Sequence, residues 1–332
     1  MAFQMNMTWA LIGLPAGLVI LLKGADLLVD GAVALAERLG VRPLVIGLTV
    51  VAMGTSAPEV AASVTATLRG FGDIAVGNVY GSNIANLALV GGLCALIRPL
   101  GVQRSMQLRE IPVMVLVALA LYPVLANAFL GRVEAVILLL VFVGLISVTI
   151  LSARGESKAA PLIDVRVEEH LQHAAAHRKK SVPMVIALVG LGLLGLAAGA
   201  HLTVESAVFL GKRIGLSDAV IGLTIIAVGT SLPELMTSAV AAFKGHDDLS
   251  IGNLVGSNVF NTLLVIGVAG AVRPFSISGR LVTTDYWIMV GVSVLFMLLV
   301  LFHKRISRTG GALLLTVYIT YMAYLFIYTK SA

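Results

Sequence analysis

Residues 47–92 read GLTVVAMGTSAPEVAASVTATLRGFGDIAVGNVYGSNIANLALVGG, and residues 222–267 read GLTIIAVGTSLPELMTSAVAAFKGHDDLSIGNLVGSNVFNTLLVIG. The two stretches align at a constant offset of 175 without a gap, and 22 of the 46 positions are identical. A repeat of this length sets the architecture of the whole chain. It also places an acidic residue, Glu59 and then Glu234, inside each of two strongly apolar stretches. A carboxylate is costly to bury in such a stretch and therefore indicates a functional site.

The composition predicts an integral membrane protein. Of the 332 residues, 58% are hydrophobic and 12% are charged, whereas soluble domains carry about 25% charged residues. About 20 apolar residues cross a bilayer as a helix, and long unbroken runs disfavour a β-barrel, whose strands alternate. We predict an all-α integral membrane protein with ten transmembrane helices. They lie near residues 9–36, 43–68, 74–97, 110–128, 132–151, 183–211, 218–243, 249–271, 285–303 and 310–328.

The basic residues predict how the chain is oriented. If the loop 152–181 is cytoplasmic, that side carries 15 Lys and Arg residues and the opposite side carries 7, which agrees with the excess of positive charge on cytoplasmic loops. We expect a multi-pass protein of the plasma (inner) membrane with both termini outside. The formal charge of +6 lies mostly in these loops and does not indicate a nucleic-acid partner. We expect the lipid bilayer to be the main partner, with no obligate protein partner and no cofactor.

The internal similarity divides the chain into two halves. It extends beyond the 46 residues, since Glu110, for example, matches Asp285 at the same offset. Each half holds five predicted helices, and because five is odd, the second half enters the membrane from the opposite side. Such inverted repeats are typical of secondary transporters with a site at the midplane between them. We predict two inverted five-helix repeats and a cytoplasmic linker, at residues 1–151, 182–332 and 152–181 respectively.

The motif Gly-Thr-Ser-x-Pro-Glu, at 54–59 and 229–234, predicts a broken helix in the core of each repeat. Proline removes a backbone donor, and it disfavours helical geometry in the residue before it. We expect the breaks near Ala52–Ser56 and near Ala227–Ser231. Broken backbone at membrane depth persists only inside protein or beside a watery cavity. The carbonyl groups freed by the break are therefore candidate oxygen ligands.

Polar side chains gather on one face in each repeat. Thr55 and Ser56 precede Glu59 by four and three residues, and this spacing can place all three on one helix face. A second motif, Gly-Asn-x-x-Gly-Ser-Asn-x-x-Asn at 77–86 and 252–261, adds a serine and an asparagine four residues apart. Carboxylates, amides, hydroxyls and carbonyls, without histidine or cysteine, suit Ca²⁺, which takes six to eight oxygens. The same oxygens, regrouped, could hold Na⁺.

Other polar residues of the apolar runs receive a structural interpretation. We interpret Asn78 and Asn253 as helix-packing residues, since small polar side chains let membrane helices approach closely. Asp30 and its counterpart Glu205 lie on the first helix of each half. They are either gating residues on helices that slide past the core or interface residues paired with their neighbours, and the second interpretation is favoured.

Both motif pairs resemble the two α-repeats of the cation/calcium antiporter superfamily, and compact prokaryotic sodium/calcium exchangers are the most similar members. The resemblance covers nearly the whole chain. It implies calcium transport driven by the sodium gradient, four in-line cation sites, and first and sixth helices that slide across a fixed eight-helix core. By motif position it implies calcium ligands at Glu59, Glu234 and the carbonyls of Thr55 and Thr230, sodium ligands at Ser56, Ser82, Ser231, Ser257 and the carbonyls of Ala52 and Ala227, and a central lining of Asn86 and Asn261.

Several alternatives follow from the same residues. Protons could replace Na⁺ at Glu59 and Glu234, giving a calcium/proton antiporter, and another divalent cation could replace Ca²⁺. Potassium-dependent relatives have aspartate where this chain has Asn261, so we predict transport that is independent of potassium. A passive channel is disfavoured because two buried carboxylates bind divalent ions too tightly for rapid conduction. We also predict no enzymatic activity.

Overall fold

The computed structural model describes residues 6–159, 180–215, 221 and 227–331. Within these residues the elements are helices, apart from two pairs of two-residue strands. Eight of the helices are long and apolar enough to cross a membrane, or nine if one bent pair counts as a single span. The predicted all-helical membrane class is therefore confirmed.

The helices follow the predicted spans closely wherever the chain is described. Most of the predicted linker 152–181 and part of the predicted span 218–243 lie outside the described residues. In chain order the helices are α1 (Met7–Leu39), α2 (Pro43–Thr55), α3 (Ala57–Leu68), α4 (Gly72–Ile97), α5 (Met106–Leu125), α6 (Arg132–Ala159), α7 (Val182–Arg213), α8 (Ala227–Thr230), α9 (Leu232–Phe243), α10 (Asp247–Val272), α11 (Leu281–His303) and α12 (Arg308–Ser331).

Helices α4 and α10 form the centre of the molecule and are the most deeply buried of the spans. Every residue from Leu249 to Phe260 of α10 is buried. Small residues permit this density: a Cβ on Gly256 would lie 2.8 Å from the Leu48 carbonyl oxygen, and a Cβ on Gly47 would lie 2.9 Å from that of Leu249. Gly47 and Gly256 therefore allow α2 and α10 to touch backbone to backbone.

Helices α1 and α7 pack against each other along most of their length. A Cβ on Gly24 would lie 2.7 Å from the backbone nitrogen of Leu196, and one on Gly192 would lie 2.6 Å from that of Leu28. Together with a few residues of α2, α9 and α10, these two helices form a hydrophobic cluster separate from the main core. The main core contains α4, α5, α10, α11 and α12.

Two short antiparallel strand pairs join the halves of the chain at the helix ends. Strand β1 (Leu100–Gly101) pairs with β4 (Arg305–Ile306), and β2 (Phe129–Leu130) pairs with β3 (Phe275–Ser276). Each pair links a loop of the first half to a loop of the second half. These links hold the ends of α5, α6, α11 and α12 in fixed register around the central helices.

Candidate cation-binding site

Both Gly-Thr-Ser-x-Pro-Glu motifs interrupt a helix at their serine. Ser56 separates α2 from α3, which are bent by 42° relative to each other, and Ser231 separates α8 from α9. The backbone angles of the two serines nearly coincide, with φ −83° and ψ 5° at Ser56 and φ −88° and ψ 6° at Ser231. The break falls at the C-terminal end of each predicted range, because the proline two residues later cannot donate to the preceding turn.

The breaks place Glu59 and Glu234 in the first turns of α3 and α9, where both are fully buried. The backbone N–H groups at the start of a helix favour negative charge. The two carboxyl groups also lie close enough to interact electrostatically with each other. Two apolar stretches 175 residues apart in sequence thus bring their acidic residues to one site.

The carboxylates of Glu59 and Glu234 each accept a hydrogen bond from a serine on another helix segment. The Ser56 hydroxyl donates to Oε1 of Glu234 at 2.9 Å, and the Ser82 hydroxyl donates to Oε1 of Glu59 at 3.4 Å. Sequence spacing suggested that Ser56 would share a face with Glu59. The structure pairs Ser56 with the glutamate of the other repeat instead, because the helix breaks at Ser56 and the residues on either side of it no longer share one axis.

Several buried oxygens at the predicted site lack a hydrogen-bond partner. Buried polar atoms are nearly always paired, so each exception calls for an explanation. Within the part of the chain that the structure describes, six such oxygens belong to residues predicted as ligands. They are Glu59 Oε2, Glu234 Oε2, Asn86 Oδ1, Asn261 Oδ1, Ser231 Oγ and Ser257 Oγ.

The chemistry of these donors suits a hard cation. Two carboxylates together with amide and hydroxyl oxygens match the ligand preference of Ca²⁺. The amide nitrogens of Asn86 and Asn261 also have no partner among the described residues. No cluster of three or more His, Cys, Asp or Glu side chains that could hold a metal occurs among the described residues. Within the predicted ligand set, Glu59 and Glu234 are the charged members and the other members are neutral.

The remaining predicted ligands lie at the same breaks. The Ala52 carbonyl accepts the backbone N–H of Ser56 at 3.0 Å and the Thr55 hydroxyl at 3.4 Å. Thr55 is buried, and Thr230 ends α8 directly before the second break. Ala227 begins α8. These positions keep the predicted carbonyls beside the two serines, and their role as ligands stays a prediction.

Two asparagines interpreted from sequence as packing residues have a more specific position. Asn78 Nδ2 donates to the backbone carbonyl of Glu59 at 3.4 Å and to the Ser63 hydroxyl at 3.0 Å. Asn253 makes the equivalent bonds, to the carbonyl of Glu234 at 3.5 Å and to the Ser238 hydroxyl at 2.9 Å. Each asparagine thus holds the helix turn that presents a glutamate.

The serines that complete these contacts were missed by sequence reasoning. Ser63 and Ser238 occupy identical positions in the two repeats, and that identity is the signal that could have found them. Asn253 also contacts the first repeat, because the Thr55 hydroxyl donates to its Oδ1 at 3.2 Å.

A cavity of about 650 Å³ lies on one side of the site. It is lined by Asp73 and Ser278 at one end and by Asn78 and Thr230 near the helix breaks. The region related to it by the sequence repeat, around Glu110 and Gly256, holds a cavity of only about 20 Å³. Among the described residues, the larger cavity therefore lies on the side of Asp73 and the smaller cavity on the side of Glu110.

Comparison with known protein families gives a match over nearly the whole chain. A profile of the family described as "Sodium/calcium exchanger protein" matches residues 9–151 and 184–327. The putative antiporter CaxA of Alkalimonas amylolytica is 40% identical over 313 residues, covering 93% of this chain and 96% of that protein. The sodium/calcium exchanger MaX1 of Methanosarcina acetivorans is 30% identical, covering 93% and 96% respectively.

A solved structure is similar to this chain in both fold and sequence. The sodium-calcium exchanger NCX_Mj, soaked with zero Na⁺ and Ca²⁺, superposes with a TM-score of 0.81 at 30% sequence identity. The match covers 96% of this chain and 100% of that one.

Proposed function

Because the chain belongs to the sodium/calcium exchanger protein family, we propose that it is a sodium/calcium antiporter that uses the sodium gradient to move Ca²⁺ across the membrane. One observation carries the proposal: two buried glutamates, one from each repeat, share a site with unpaired amide and hydroxyl oxygens. Uncompensated buried carboxylates are costly, so the site favours a bound cation.

The proposal assigns the ligands by charge and by position. Two carboxylates balance one Ca²⁺, completed by the carbonyls of Thr55 and Thr230. Two Na⁺ ions balance the same charge when the serine hydroxyls and the carbonyls of the breaks supply the remaining oxygens. Exchange follows because either kind of ion neutralises the glutamates. The full proposed ligand set is Glu59, Glu234, Thr55, Thr230, Ser56, Ser231, Ser82, Ser257, Asn86, Asn261, Ala52 and Ala227.

The proposed architecture is ten transmembrane helices in two inverted five-helix repeats, at 1–151 and 182–332, joined by a cytoplasmic linker at 152–181. The equivalent contacts of Asn78 and Asn253 and the matched angles of Ser56 and Ser231 support it. Alternating access then consists of movement of α1 and α7, which share one hydrophobic cluster, relative to the remaining helices. The 650 Å³ cavity is the proposed aqueous route to the site from one face.

Reconstituted vesicles test the coupling ion. Proteoliposomes loaded with Na⁺ and diluted into sodium-free buffer with trace Ca²⁺, at matched pH inside and outside, are expected to accumulate Ca²⁺. Vesicles loaded with choline are the control and should accumulate little. A protonophore in both samples removes any secondary pH gradient. Equal uptake in the two samples would overturn sodium coupling.

Calcium/proton exchange is the second candidate, because the same buried carboxylates could carry protons. Vesicles with an imposed pH gradient and no Na⁺ test it directly. Calcium uptake that appears only with the pH gradient would support this alternative. Competition of Mn²⁺ and Sr²⁺ with Ca²⁺ in the sodium-loaded vesicles then tests whether another divalent cation is the better substrate.

A further inference from the structure

Lys244 connects α1 to the helices that hold the candidate site. Its Nζ lies 2.5 Å from Oδ1 of Asp26 and 2.7 Å from Oδ1 of Asp30, both on α1. Partial burial lowers the pKa of the Lys244 ammonium, but hydrogen bonds to the two carboxylates outweigh it and leave the pKa raised. Lys244 follows the last residue of α9, the helix that carries Glu234. A charged contact therefore fixes α1 to the core at this end.

The turn that presents Lys244 has an equivalent in the first repeat. Gly245 follows with φ +82°, and Gly70, 175 residues earlier, has φ +87° and follows Arg69. An arginine of the opposite repeat lies against each turn: a Cβ on Gly245 would lie 2.7 Å from Nη1 of Arg98, while Arg273 donates to the Leu68 carbonyl at 2.9 Å. Each turn thus presents a basic side chain, Lys244 or Arg69, and an arginine of the opposite repeat lies against the turn.

The acidic partners also have equivalents, but the structure arranges them differently. His201 and Glu205 on α7 correspond to Asp26 and Asp30 on α1. Glu205 faces His201 on its own helix at 3.3 Å, and their side chains are 54% and 73% exposed. Arg69 is exposed, and among the described residues it forms no ion pair with Glu205. Among the described residues, the basic residue of the Lys244 turn therefore pairs with the acidic residues of α1, whereas that of the Arg69 turn does not pair with Glu205 of α7.

This asymmetry coincides with that of the two cavities. The 650 Å³ cavity includes Asp73, four residues after Arg69, whereas the 20 Å³ cavity lies in the part of the molecule related to it by the repeat. Helices α1 and α7 are packed tightly enough through Gly24 and Gly192 to move together. A shift that carries α1 away from Lys244 would therefore also change the position of α7 relative to Arg69.

We propose that Lys244 with Asp26 and Asp30, and Arg69 with Glu205, form two alternative ion pairs that hold α1 and α7 in opposite positions of the transport cycle. The first set is formed when the site is closed on the Lys244 face, as in this structure. The second forms when the helices move and the Arg69 face closes. The inference rests on the alternating access of the proposed function, and it adds the contacts that stabilise each end state.

The partial exposure of these side chains is consistent with that role. Ion pairs open to water contribute about 0–1 kcal/mol, so they bias an equilibrium without trapping either state. A shift of up to about 1 kcal/mol changes the ratio of two states by up to about fivefold. Removing Lys244 should therefore favour the opposite state measurably while leaving the protein folded.

Cysteine pairs measure the two positions directly. The background is Cys94→Ala, since Cys94 is buried. Asp30→Cys with Lys244→Cys should crosslink with a short bifunctional thiol reagent in detergent without Na⁺ or Ca²⁺. Arg69→Cys with Glu205→Cys should crosslink weakly, and adding Lys244→Gln should increase that crosslinking about threefold. Lys244→Arg, which keeps the charge, should not increase it. Lys23→Gln, which removes an exposed lysine of α1, the helix of Asp26 and Asp30, should not increase it either.

The outcomes separate this inference from the proposed function. If Arg69→Cys and Glu205→Cys never crosslink, or if Lys244→Gln leaves their yield unchanged, the alternative ion pairs are wrong. Crosslinking needs no ion gradient, so a protein that exchanges protons in place of sodium would give the same crosslinking result. Failure of sodium-driven uptake by the unmodified protein would overturn the proposed function alone.

Discussion

The Ser56 hydroxyl donates a hydrogen bond to Oε1 of Glu234 at 2.9 Å, although the two residues lie 178 positions apart and in different repeats. The bond joins the break in one helix to the acidic residue that follows the break in another. Neither repeat can therefore form the site alone. The predictions below depend on this sharing of ligands between the two halves.

Replacing either glutamate should abolish exchange. Glu59→Gln and Glu234→Gln keep the shape of the side chain but remove one of two charges, and calcium affinity depends over orders of magnitude on the number of charged ligands. We expect sodium-driven calcium flux to fall by about a hundredfold in each variant. Glu134→Gln, in the first turn of α6, is the matched control. Near-normal flux in both site variants would end their assignment as ligands.

Removing the Ser56 hydroxyl should weaken sodium binding. Hydrogen bonds to charged groups contribute about 1.5–3 kcal/mol, so Ser56→Ala should raise the sodium concentration for half-maximal exchange by about tenfold. Ser147→Ala serves as control, because its hydroxyl bonds only its own helix, at Val143. An unchanged sodium dependence would argue that Ser56 has a structural role only.

Asn253 should matter for stability and for the position of Glu234. Asn253→Ala leaves the Glu234 carbonyl, the Ser238 hydroxyl and the Thr55 hydroxyl without this partner, at about 1–3 kcal/mol for each buried group left unpaired. We expect a lower midpoint of thermal unfolding in detergent and weaker calcium binding. We expect a smaller loss of thermal stability and of calcium binding for Asn78→Ala, because Asn78 is only partly buried. A reversed order of the two effects would contradict this account.

Potassium should not affect the unmodified protein. Asn261 is fully buried, and neither its amide oxygen nor its nitrogen has a partner among the described residues. Equal K⁺ on both sides of the vesicles should leave calcium flux unchanged. Asn261→Asp adds a third carboxylate, so flux should fall and be partly restored by K⁺. Asn258→Asp, three residues earlier, tests whether any buried charge gives the same result. Potassium stimulation of the unmodified protein would refute the prediction.

The contact of α1 with α7 should tolerate no added side chain at Gly24. Gly24→Ala places a Cβ 2.7 Å from the Leu196 backbone nitrogen, and forcing helices apart typically costs about 1–3 kcal/mol. We expect reduced thermal stability and slower exchange. Gly190→Ala on α7 is the control, because a Cβ there meets no atom within 4 Å. Equal stability of the two variants would show that the close contact is not required.

The sequence predicted much of the fold because hydrophobic length and internal repetition are local properties. Helices such as α1 and α11 begin and end within a few residues of the predicted spans. The two helix breaks were also foreseen, because proline acts on its own turn. The described part of the predicted span 218–243 is divided at Ser231, within the range predicted for the second break.

By itself, the sequence determined the membrane class, the two repeats, the positions of the breaks and the chemical types of the candidate ligands. Only the tertiary structure decided that Ser56 faces Glu234 rather than Glu59, that Asn253 supports Glu234, and that Lys244 pairs with α1 while Glu205 pairs with His201 rather than with Arg69. The physical reason is that composition and proline act through neighbouring residues. Contacts across the repeats depend instead on how helices far apart in sequence pack and in which position α1 and α7 rest.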